Sequence, residues 1–184
     1  AQYEEFGHSV SIDGDTAVIG ARYDDNNGVD SGSAYVYERS NGVWTEQQKL
    51  TASDGAADDD FGISVAIDGD TVVIGARTGG ENGERPSSAY VYVHSNGVWS
   101  EQAKLIPSDR DAYDRFGWSV AIDGDTAVIG ASNDNLGWHV GFLGSAYVYL
   151  RSNDVWTEQQ KLTASDGAQY EEFGHSVSID GDTA

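Results

Sequence analysis

Short runs of alternating apolar and polar residues recur along the chain, and each run ends at a turn signal. Alternation with a period of two predicts β-strands, and the first unit contains four such runs. The predicted strands cover residues 8–12, 16–21, 33–38 and 43–50. Asp13-Gly14 separates the first pair of strands and Asn41-Gly42 the second. Both dipeptides predict a two-residue type I′ hairpin turn, because they tolerate positive φ.

The pattern of the first two strands recurs along the chain. Residues 6–21 return as residues 61–76 and 116–131, and residues 173–184 begin a fourth copy. A fixed period of this size indicates one supersecondary unit that is copied and stacked. We therefore expect an all-β protein of four-stranded antiparallel meanders, either propeller blades or a sandwich of hairpins. The first two strands carry small residues and the last two carry larger and more polar ones, which favours propeller blades.

The repeat also divides the chain into segments. We expect three blades and the start of a fourth: a linker at 1–5, blades at 6–60, 61–115 and 116–172, and the first hairpin of the next repeat at 173–184. The two ends share one sequence, since residues 1–17 are identical to residues 168–184. The simplest account is a window from a longer tandem array, and engineered duplication is the alternative. Three blades are fewer than the four to eight or so of a closed propeller.

Three motifs recur in close variants, and they support a family resemblance. They are FG-x-SV-[SA]-IDGDT-[AV]-VIGA, GSAYVY and NGVW-[TS]-EQ-x-KL. These motifs resemble the FG-GAP repeat family, in the bacterial and archaeal form related to the blades of the integrin α-subunit head. The resemblance covers essentially the whole chain. It implies a β-propeller outside the cell, commonly of seven blades, and it implies no activity.

Aromatic residues return at fixed positions of the unit, and we interpret them as blade core. They are Phe6, Phe61, Phe116, Phe173, Tyr35, Tyr37, Trp44, Trp99 and Trp156.

The charge of the chain excludes several classes of partner. Its formal net charge is −21, from 31 acidic and 10 basic residues. Such a charge argues against binding nucleic acid or anionic lipid, and no apolar stretch is long enough to span a membrane. High acidity with few lysines resembles proteins from high-salt organisms, and general extracellular acidity is the alternative. The chain has no cysteine, which excludes disulfides and thiolate metal sites.

The long loops are the predicted recognition surface. In a meander the loops after the second and fourth strands lie on one side, and long loops on a rigid scaffold often carry recognition. Residues 132–144 are unusually apolar for such a loop, which indicates a partner surface or a loop folded onto its own blade. The predicted partner-binding residues are Leu136, Trp138, His139, Val140, Phe142 and Leu143.

Calcium is the one cofactor that the resemblance brings in, because integrin-type blades carry a D-x-D-x-D-G loop in the first hairpin. Here that hairpin is contracted to residues 12–16, which offer too few oxygens for the six to eight or so ligands of Ca²⁺. Asp24, Asn26 and Asp30 form the substitute site that the sequence offers. The alternative is a solvated acidic turn.

The sequence contains no recognisable catalytic constellation. His8 and His175 occupy a position that Ile63 and Trp118 fill in the other units, which is not expected of a catalytic base. We therefore expect a non-enzymatic protein outside the cell or on its surface. Its expected role is structural, as a surface layer or filament built by self-association or by neighbouring copies of the repeat. The alternative is an adhesin or ligand-binding propeller that holds protein or glycan on its long-loop side, with calcium.

Overall fold

The computed structural model describes residues 4–77, 87–109, 114–134, 143–181 and 183–184. These residues form twelve strands and no helix, so the described part of the chain has no long apolar helix that would cross a membrane. The strands are β1 (Phe6–Asp13), β2 (Thr16–Ala21), β3 (Ser33–Ser40), β4 (Val43–Leu50), β5 (Phe61–Asp68), β6 (Thr71–Ala76), β7 (Ser88–Ser95), β8 (Val98–Leu105), β9 (Phe116–Asp123), β10 (Thr126–Ala131), β11 (Ser145–Ser152) and β12 (Val155–Leu162).

The strands form three separate four-stranded sheets, which we call sheet one (β1 to β4), sheet two (β5 to β8) and sheet three (β9 to β12). Each sheet is a meander in which every strand pairs antiparallel with the next. The prediction of an all-β fold made of blade-like meanders is confirmed. The three described sheets do not close into a ring.

The two tight turns of sheet one are of different types. Between β3 and β4 both central residues have positive φ, 51° and 79°, which confirms the predicted type I′ turn. The type I′ prediction for Asp13-Gly14 is wrong. Asp13 pairs with Thr16, so the central residues are Gly14 and Asp15. Gly14 alone of these two has positive φ, as in a type II′ turn, because Asp13 closes the ladder instead of entering the turn.

The first strand of each sheet begins irregularly. Phe6 pairs with Ala21, and pairing resumes at Val10 with Ile19, with a shifted register between them. Gly7 lies in this gap at φ 88°, a conformation that residues with a side chain rarely adopt. The same irregularity occurs at the start of β5 and β9. It leaves the glycine outside the ladder, and in sheets two and three the carbonyl of this glycine accepts a hydrogen bond from a serine of the preceding sheet.

The hydrophobic core lies between successive sheets. The first strands of neighbouring sheets, β1 with β5 and β5 with β9, pack closely. One cluster combines residues of sheets one and two, and a second cluster does the same for sheets two and three. The first includes Val18, Val36 and Leu50 with Val65, Ile67 and Trp99. Since each joint buries one face of each of the two sheets that meet there, the stability of the chain is a sum of contributions from the sheets and from the joints.

Residues 173–184 carry part of a further unit. Phe173 forms a parallel bridge with Gly144, as the corresponding residues do between the first two sheets. Asp180 and Thr183 exchange two backbone hydrogen bonds of 2.9 and 3.1 Å. These bonds form the turn of the hairpin predicted here, while the described residues of the segment form no strand.

Candidate functional site

The joint between neighbouring sheets is built from the Phe-Gly dipeptide that opens each unit. Phe61 is completely buried and meets the rings of Tyr90 and Tyr92 at centroid distances of 5.5 and 6.2 Å. Beside it, the Gly62 carbonyl accepts a hydrogen bond of 2.8 Å from the Ser9 hydroxyl of sheet one. The Gly62 carbonyl therefore connects sheet two to sheet one, and Phe61 lies in the core cluster that the two sheets share.

This close approach requires a glycine on the facing strand. A Cβ on Gly20 would lie 2.0 Å from the carbonyl oxygen of Gly62, where no real contact is possible. The same 2.0 Å separates a Cβ on Gly75 or Gly130 from the corresponding carbonyl of the next unit. The glycine of each Val-Ile-Gly-Ala run is thus determined by the Phe-Gly dipeptide that follows it.

The outer strands of sheets two and three bind the loop at the end of the preceding sheet. The Tyr92 hydroxyl donates to the Thr51 carbonyl at 2.7 Å. Glu101 accepts from the amide and the hydroxyl of Ser53, at 2.9 and 2.8 Å. The joint between sheets two and three repeats the serine and glutamate contacts, both at 2.8 Å.

Sheet one presents to solvent the positions that the other two sheets bury. Phe6, Val10, Ile12 and Trp44 are 51, 62, 60 and 38% exposed, whereas their counterparts in sheets two and three are at most 9% exposed. We call these four residues the head face. The described residues place no sheet against it. The corresponding residues of sheets two and three form the joints with the sheet before them.

Sheet three carries the complementary surface at the other end of the stack. Val148 and Leu162 are half-buried there, whereas their counterparts in the first two sheets are buried. We call Val148, Leu162 and residues 163–167 the tail face. A cleft runs along it, lined by Asp134, residues 143–145, residues 163–165 and residue 167. Residues 163–165 of this cleft correspond to residues 51–53 of sheet one, which bind Tyr92 and Glu101 of sheet two.

The lysines of the chain pair with aspartates of the loops. Lys104 Nζ lies 2.7 Å from Asp54, which belongs to the loop after β4. Lys161 Nζ lies 2.7 Å from Asp109, after β8, and 2.5 Å from Asp134, after β10. Loops after second and fourth strands therefore meet on one side of the sheets, as the meander predicts.

These pairs lower the pKa of the joint aspartates. Burial by itself raises the pKa of Asp54, but hydrogen bonds from Lys104 and Tyr90 outweigh it and hold the pKa below its ordinary value. The pKa of Asp109 is lowered in the same way, against burial, by Lys161 and a tyrosine. Both carboxylates are therefore ionised at neutral pH, each beside an ammonium group.

The residues predicted to hold calcium lie in the loop after β2. Asn26 Nδ2 donates to Asp24 Oδ1 at 2.5 Å, and Lys49 Nζ lies 2.6 Å from Oδ2 of the same carboxylate. The Asp30 amide donates to Asp25 Oδ1 at 3.0 Å. A calcium ion at Asp24 would have to replace the lysine, and the described residues contain no group of three or more acidic or histidine side chains placed to hold a metal. The calcium site stays a prediction.

Five of the six predicted partner-binding residues lie outside the described residues: Leu136, Trp138, His139, Val140 and Phe142. The sixth, Leu143, is half-buried at the edge of the tail-face cleft. Its amide donates to the Asp134 carbonyl at 3.3 Å, and its carbonyl accepts from the Phe173 amide at 2.9 Å. Leu143 therefore adjoins the segment that begins the fourth unit.

The described histidines have carboxylate or indole neighbours. His8 and His175 each lie close to the glutamate three residues earlier, at 3.2 and 3.3 Å. His94 stacks on Trp99 with ring centroids 5.0 Å apart. None of these contacts pairs a base with a nucleophile of the kind that covalent catalysis uses.

The repeat that builds these joints also matches a known sequence family. The sequence model of the FG-GAP repeat matches residues 1–37, 44–92, 99–149 and 156–184. The chain belongs to the FG-GAP repeat family. This confirms the resemblance inferred from the motifs. Comparison with the curated proteins found no match.

The FG-GAP match is offset from the sheets by one strand. Its second stretch, residues 44–92, covers β4 to β7, so it joins the outer strand of sheet one to the first three strands of sheet two. Each sheet is nevertheless contiguous in sequence, since its four strands follow one another along the chain.

Sequence reasoning placed the recurring aromatic residues in the core but did not identify the head and tail faces. The signal that could have found them is the identity of residues 1–17 and 168–184. One copy of that segment forms β1, and the other lies on sheet three. The same sequence thus occurs once within sheet one and once against sheet three of these FG-GAP blades.

Proposed function

We propose that this FG-GAP repeat protein is a non-enzymatic, extracellular structural protein whose blades build a surface layer or filament. FG-GAP repeats are typical of extracellular or surface proteins, and the family is generally non-enzymatic. The observation that carries the structural role is the repeated joint, in which sheets two and three bury apolar residues of their first strands against the sheet before them. The head face presents the same four residues for a joint of this kind.

Burial of the head face supplies a driving force for assembly. Each large apolar side chain moved from water into a packed interface contributes about 1.5 to 3 kcal/mol when it is fully buried. The net charge of −21 opposes assembly at low salt, because like charges repel. Near 1 M salt the Debye length is only about 3 Å, so assembly is expected to strengthen with ionic strength.

Sedimentation velocity on the 184-residue chain tests this proposal. In about 1 M salt we expect species of two or more copies that grow with protein concentration, with ordered particles under the electron microscope. Trp44→Ser on the head face should abolish them. Val98→Ser is the matched control, because Val98 is also exposed but lies beside a turn of sheet two. A chain that stays monomeric at every concentration would contradict the structural role.

A second candidate function is a ligand-binding adhesin that uses the long-loop side, with protein or glycan as ligand and calcium as cofactor. The convergence of Asp109 and Asp134 on Lys161 favours it, because loops of two sheets share one surface there. A calcium titration followed by thermal melting tests the calcium version. A rise in melting temperature that EDTA reverses and Asp24→Asn removes would support it, and an unchanged melting curve would exclude it.

A further inference from the structure

We propose that Arg115, with Arg77 beside it, binds the carboxylate of an acidic sugar on the long-loop side of sheets two and three. This inference is independent of the assembly proposed above. It rests on the second candidate function, ligand binding on the long-loop side, and it names the class of ligand and the residues that hold it.

Sheets one and two each carry an ion pair at the start of their first strand. The residue before the phenylalanine is acidic, and the residue after the second strand is an arginine. Arg22 Nε donates to Glu5 at 2.7 Å in sheet one, and Arg77 donates to Asp60 at 2.6 Å in sheet two. These two positions of the repeat therefore bring an acid and a base together.

Sheet three has an arginine in place of the acid and a serine in place of the base. Arg115 and Ser132 face each other, because Phe116 pairs with Ala131 on one side of them and a backbone hydrogen bond of 3.1 Å joins the next two residues on the other. The backbone at Arg115 has φ 55°, close to the 47° of Asp60. A similar backbone therefore presents the opposite charge.

Arg115 consequently lies beside a second arginine. Its guanidinium carbon is 5.3 Å from the ring centroid of Trp118, and that of Arg77 is 5.5 Å from the same tryptophan. Arg77 is neutralised by Asp60, whereas among the described residues no carboxylate lies within ion-pair distance of Arg115. The indole attracts both cations but supplies no acceptor oxygen. Arg77, Arg115 and Trp118 are all half-buried, so a ligand can reach them from solvent.

The charges of this region alternate until they reach Arg115. Asp60 binds Arg77 in its own sheet, and it also attracts Arg22 across the joint to sheet one. Glu5, Arg22, Asp60 and Arg77 therefore form a row of alternating sign, and the next residue of the row, Arg115, repeats the sign of Arg77. An anion bound between these two arginines would attract both and restore the alternation.

Two buried polar atoms next to Arg115 indicate what else the ligand carries. Ser132 and Asn133 are 0 and 6% exposed, and Ser132 Oγ and Asn133 Oδ1 have no hydrogen-bond partner among the described residues. Side chains at these two positions lie together, since in sheet one the Arg22 guanidinium is 4.3 Å from the ring centroid of Tyr23. Buried polar groups without a partner are rare and costly, so a polar group of a ligand is expected here.

An acidic sugar combines the groups that this place requires. Its carboxylate accepts two hydrogen bonds from the planar guanidinium of Arg115. A ring hydroxyl both accepts and donates, so it satisfies Ser132 Oγ and Asn133 Oδ1 together, which a carboxylate cannot do. Because both atoms are buried, the hydroxyl reaches them when the Arg115 side chain shifts, and no ion pair with a described residue holds that side chain. A single carboxylate also suits a chain of net charge −21, which repels multiply charged anions more strongly.

Titration of the full chain with sodium glucuronate tests the site, with glucose, inorganic sulfate and N-acetylaspartate amide as comparison probes at constant ionic strength. The indole N–H signals of ¹⁵N-labelled protein report binding, and the Trp118 signal is the one that Trp118→Phe removes. We expect saturable shifts of this signal with glucuronate, none with glucose, and binding of sulfate at least about tenfold weaker because sulfate has no hydrogen to donate to Asn133. The absence of a shift with glucuronate overturns the site. Equal binding of sulfate, or tighter binding of the aspartate derivative, overturns the assignment to a sugar.

Matched substitutions separate the site from the overall charge. Arg115→Gln should weaken glucuronate binding at least about tenfold. Arg22→Gln is the control, because Arg22 also lies over an aromatic ring but is already paired with Glu5, and it should bind glucuronate like the wild type. Equal weakening by the two variants would show that net charge alone matters, and it would overturn the site.

Arg115→Asp keeps the test decisive even where Arg115→Gln disturbs packing on Trp118. It restores the acid found at this position in sheet two, so its own carboxylate lies beside Arg77 and should abolish glucuronate binding while the circular dichroism spectrum stays that of the wild type. A variant that still binds glucuronate as the wild type does would overturn the role of Arg115. Glucuronate binding is measured on single chains at low concentration, so its failure leaves the structural role intact. A melting temperature that calcium raises, without glucuronate binding, would retain the adhesin and remove this ligand.

Discussion

The inner joints and the head face contain the same residues in opposite surroundings. Phe6 meets Tyr35 at a ring-centroid distance of 5.4 Å, and Phe61 meets Tyr90 at 5.5 Å, yet Phe6 is 51% exposed and Phe61 is fully buried. The geometry within a sheet is therefore the same with or without a preceding sheet. A neighbouring sheet buries the phenylalanine but does not reposition it. Because the ring is already in place, docking of a neighbour costs little conformational entropy.

The largest expected effect comes from filling a joint with a methyl group. Gly75→Ala would place a Cβ 2.0 Å from the carbonyl of Gly117 and force sheets two and three apart. We expect a loss of more than about 4 kcal/mol in the free energy of unfolding, or failure to fold. Gly130→Ala makes the same clash with Gly174, but it should release only the docked segment and cost less than about 1 kcal/mol. Urea denaturation of both variants checks this, and equal losses would mean that the joints do not carry the stability.

The next effect contrasts the phenylalanines directly. Phe61→Ala removes a fully buried ring from the joint, and we expect a loss of about 3 to 5 kcal/mol. Phe6→Ala removes the equivalent ring from the head face, and about 1 kcal/mol is expected for the monomer because half of that ring is already in water. Denaturation at a protein concentration too low for assembly separates the two. A large loss for Phe6→Ala would show that packing within the sheet, rather than the neighbour, stabilises the ring.

The sequence predicted the blades well because their signals are local. Alternation placed every strand of the first unit, and Asn41-Gly42 identified its turn. The type II′ turn at Gly14 was not identified, because either residue of an Asp-Gly pair can occupy the first turn position. Recurrence predicted that Phe61 and Trp44 both belong to the core, but the structure buries Phe61 and leaves Trp44 partly exposed.

The candidate faces were harder to predict because exposure depends on what lies beside a sheet. Trp44 and Trp99 have the same place in the repeat, and no property of either residue reveals that one is exposed. The lysine pairs across the joints were missed for a similar reason. Lys104 and Asp54 belong to different sheets, so their contact depends on the stacking of units rather than on spacing within one unit.

A smaller effect on the free energy of unfolding is expected for the charge pairs. Asp24 and Lys49 pair within sheet one, whereas Asp54 and Lys104 pair across a joint. Burial raises the pKa of Asp24, but Lys49 and two hydroxyl groups outweigh it, so the pKa lies below its ordinary value near 3.8. A lowered pKa stabilises the fold above the ordinary value, and this contribution is lost as the pH falls through the folded value. Asp24→Asn should therefore cost about 2 kcal/mol at pH 7, and the difference from wild type should shrink in acid.

The joint pair is the control for this comparison. Asp54 has a side chain that is half exposed, so solvent screening limits its pair with Lys104. Asp54→Asn should cost less than about 1 kcal/mol at pH 7. Its pKa is also lowered, so its smaller contribution should fade over the same acid range. Thermal melting from pH 7 to pH 2.5 or so follows both differences, and a difference for Asp24→Asn that grows in acid would contradict the assigned direction.

The smallest effect tests whether a joint residue stabilises the chain only when a neighbour is present. Gln48 clamps the backbone of Trp99 with two hydrogen bonds, so Gln48→Ala should cost about 1 kcal/mol. Gln160 holds the same position on the tail face, and Gln160→Ala should leave monomer stability within about 0.5 kcal/mol of wild type. Sheet two naturally carries Ala103 here, and its joint uses Gln102 on another tryptophan at 2.9 Å instead. The clamp is therefore a dispensable contact, and Gln160→Ala should weaken association by no more than about tenfold. If Gln48→Ala and Gln160→Ala instead cause equal losses of stability, each glutamine stabilises its own strand rather than the joint.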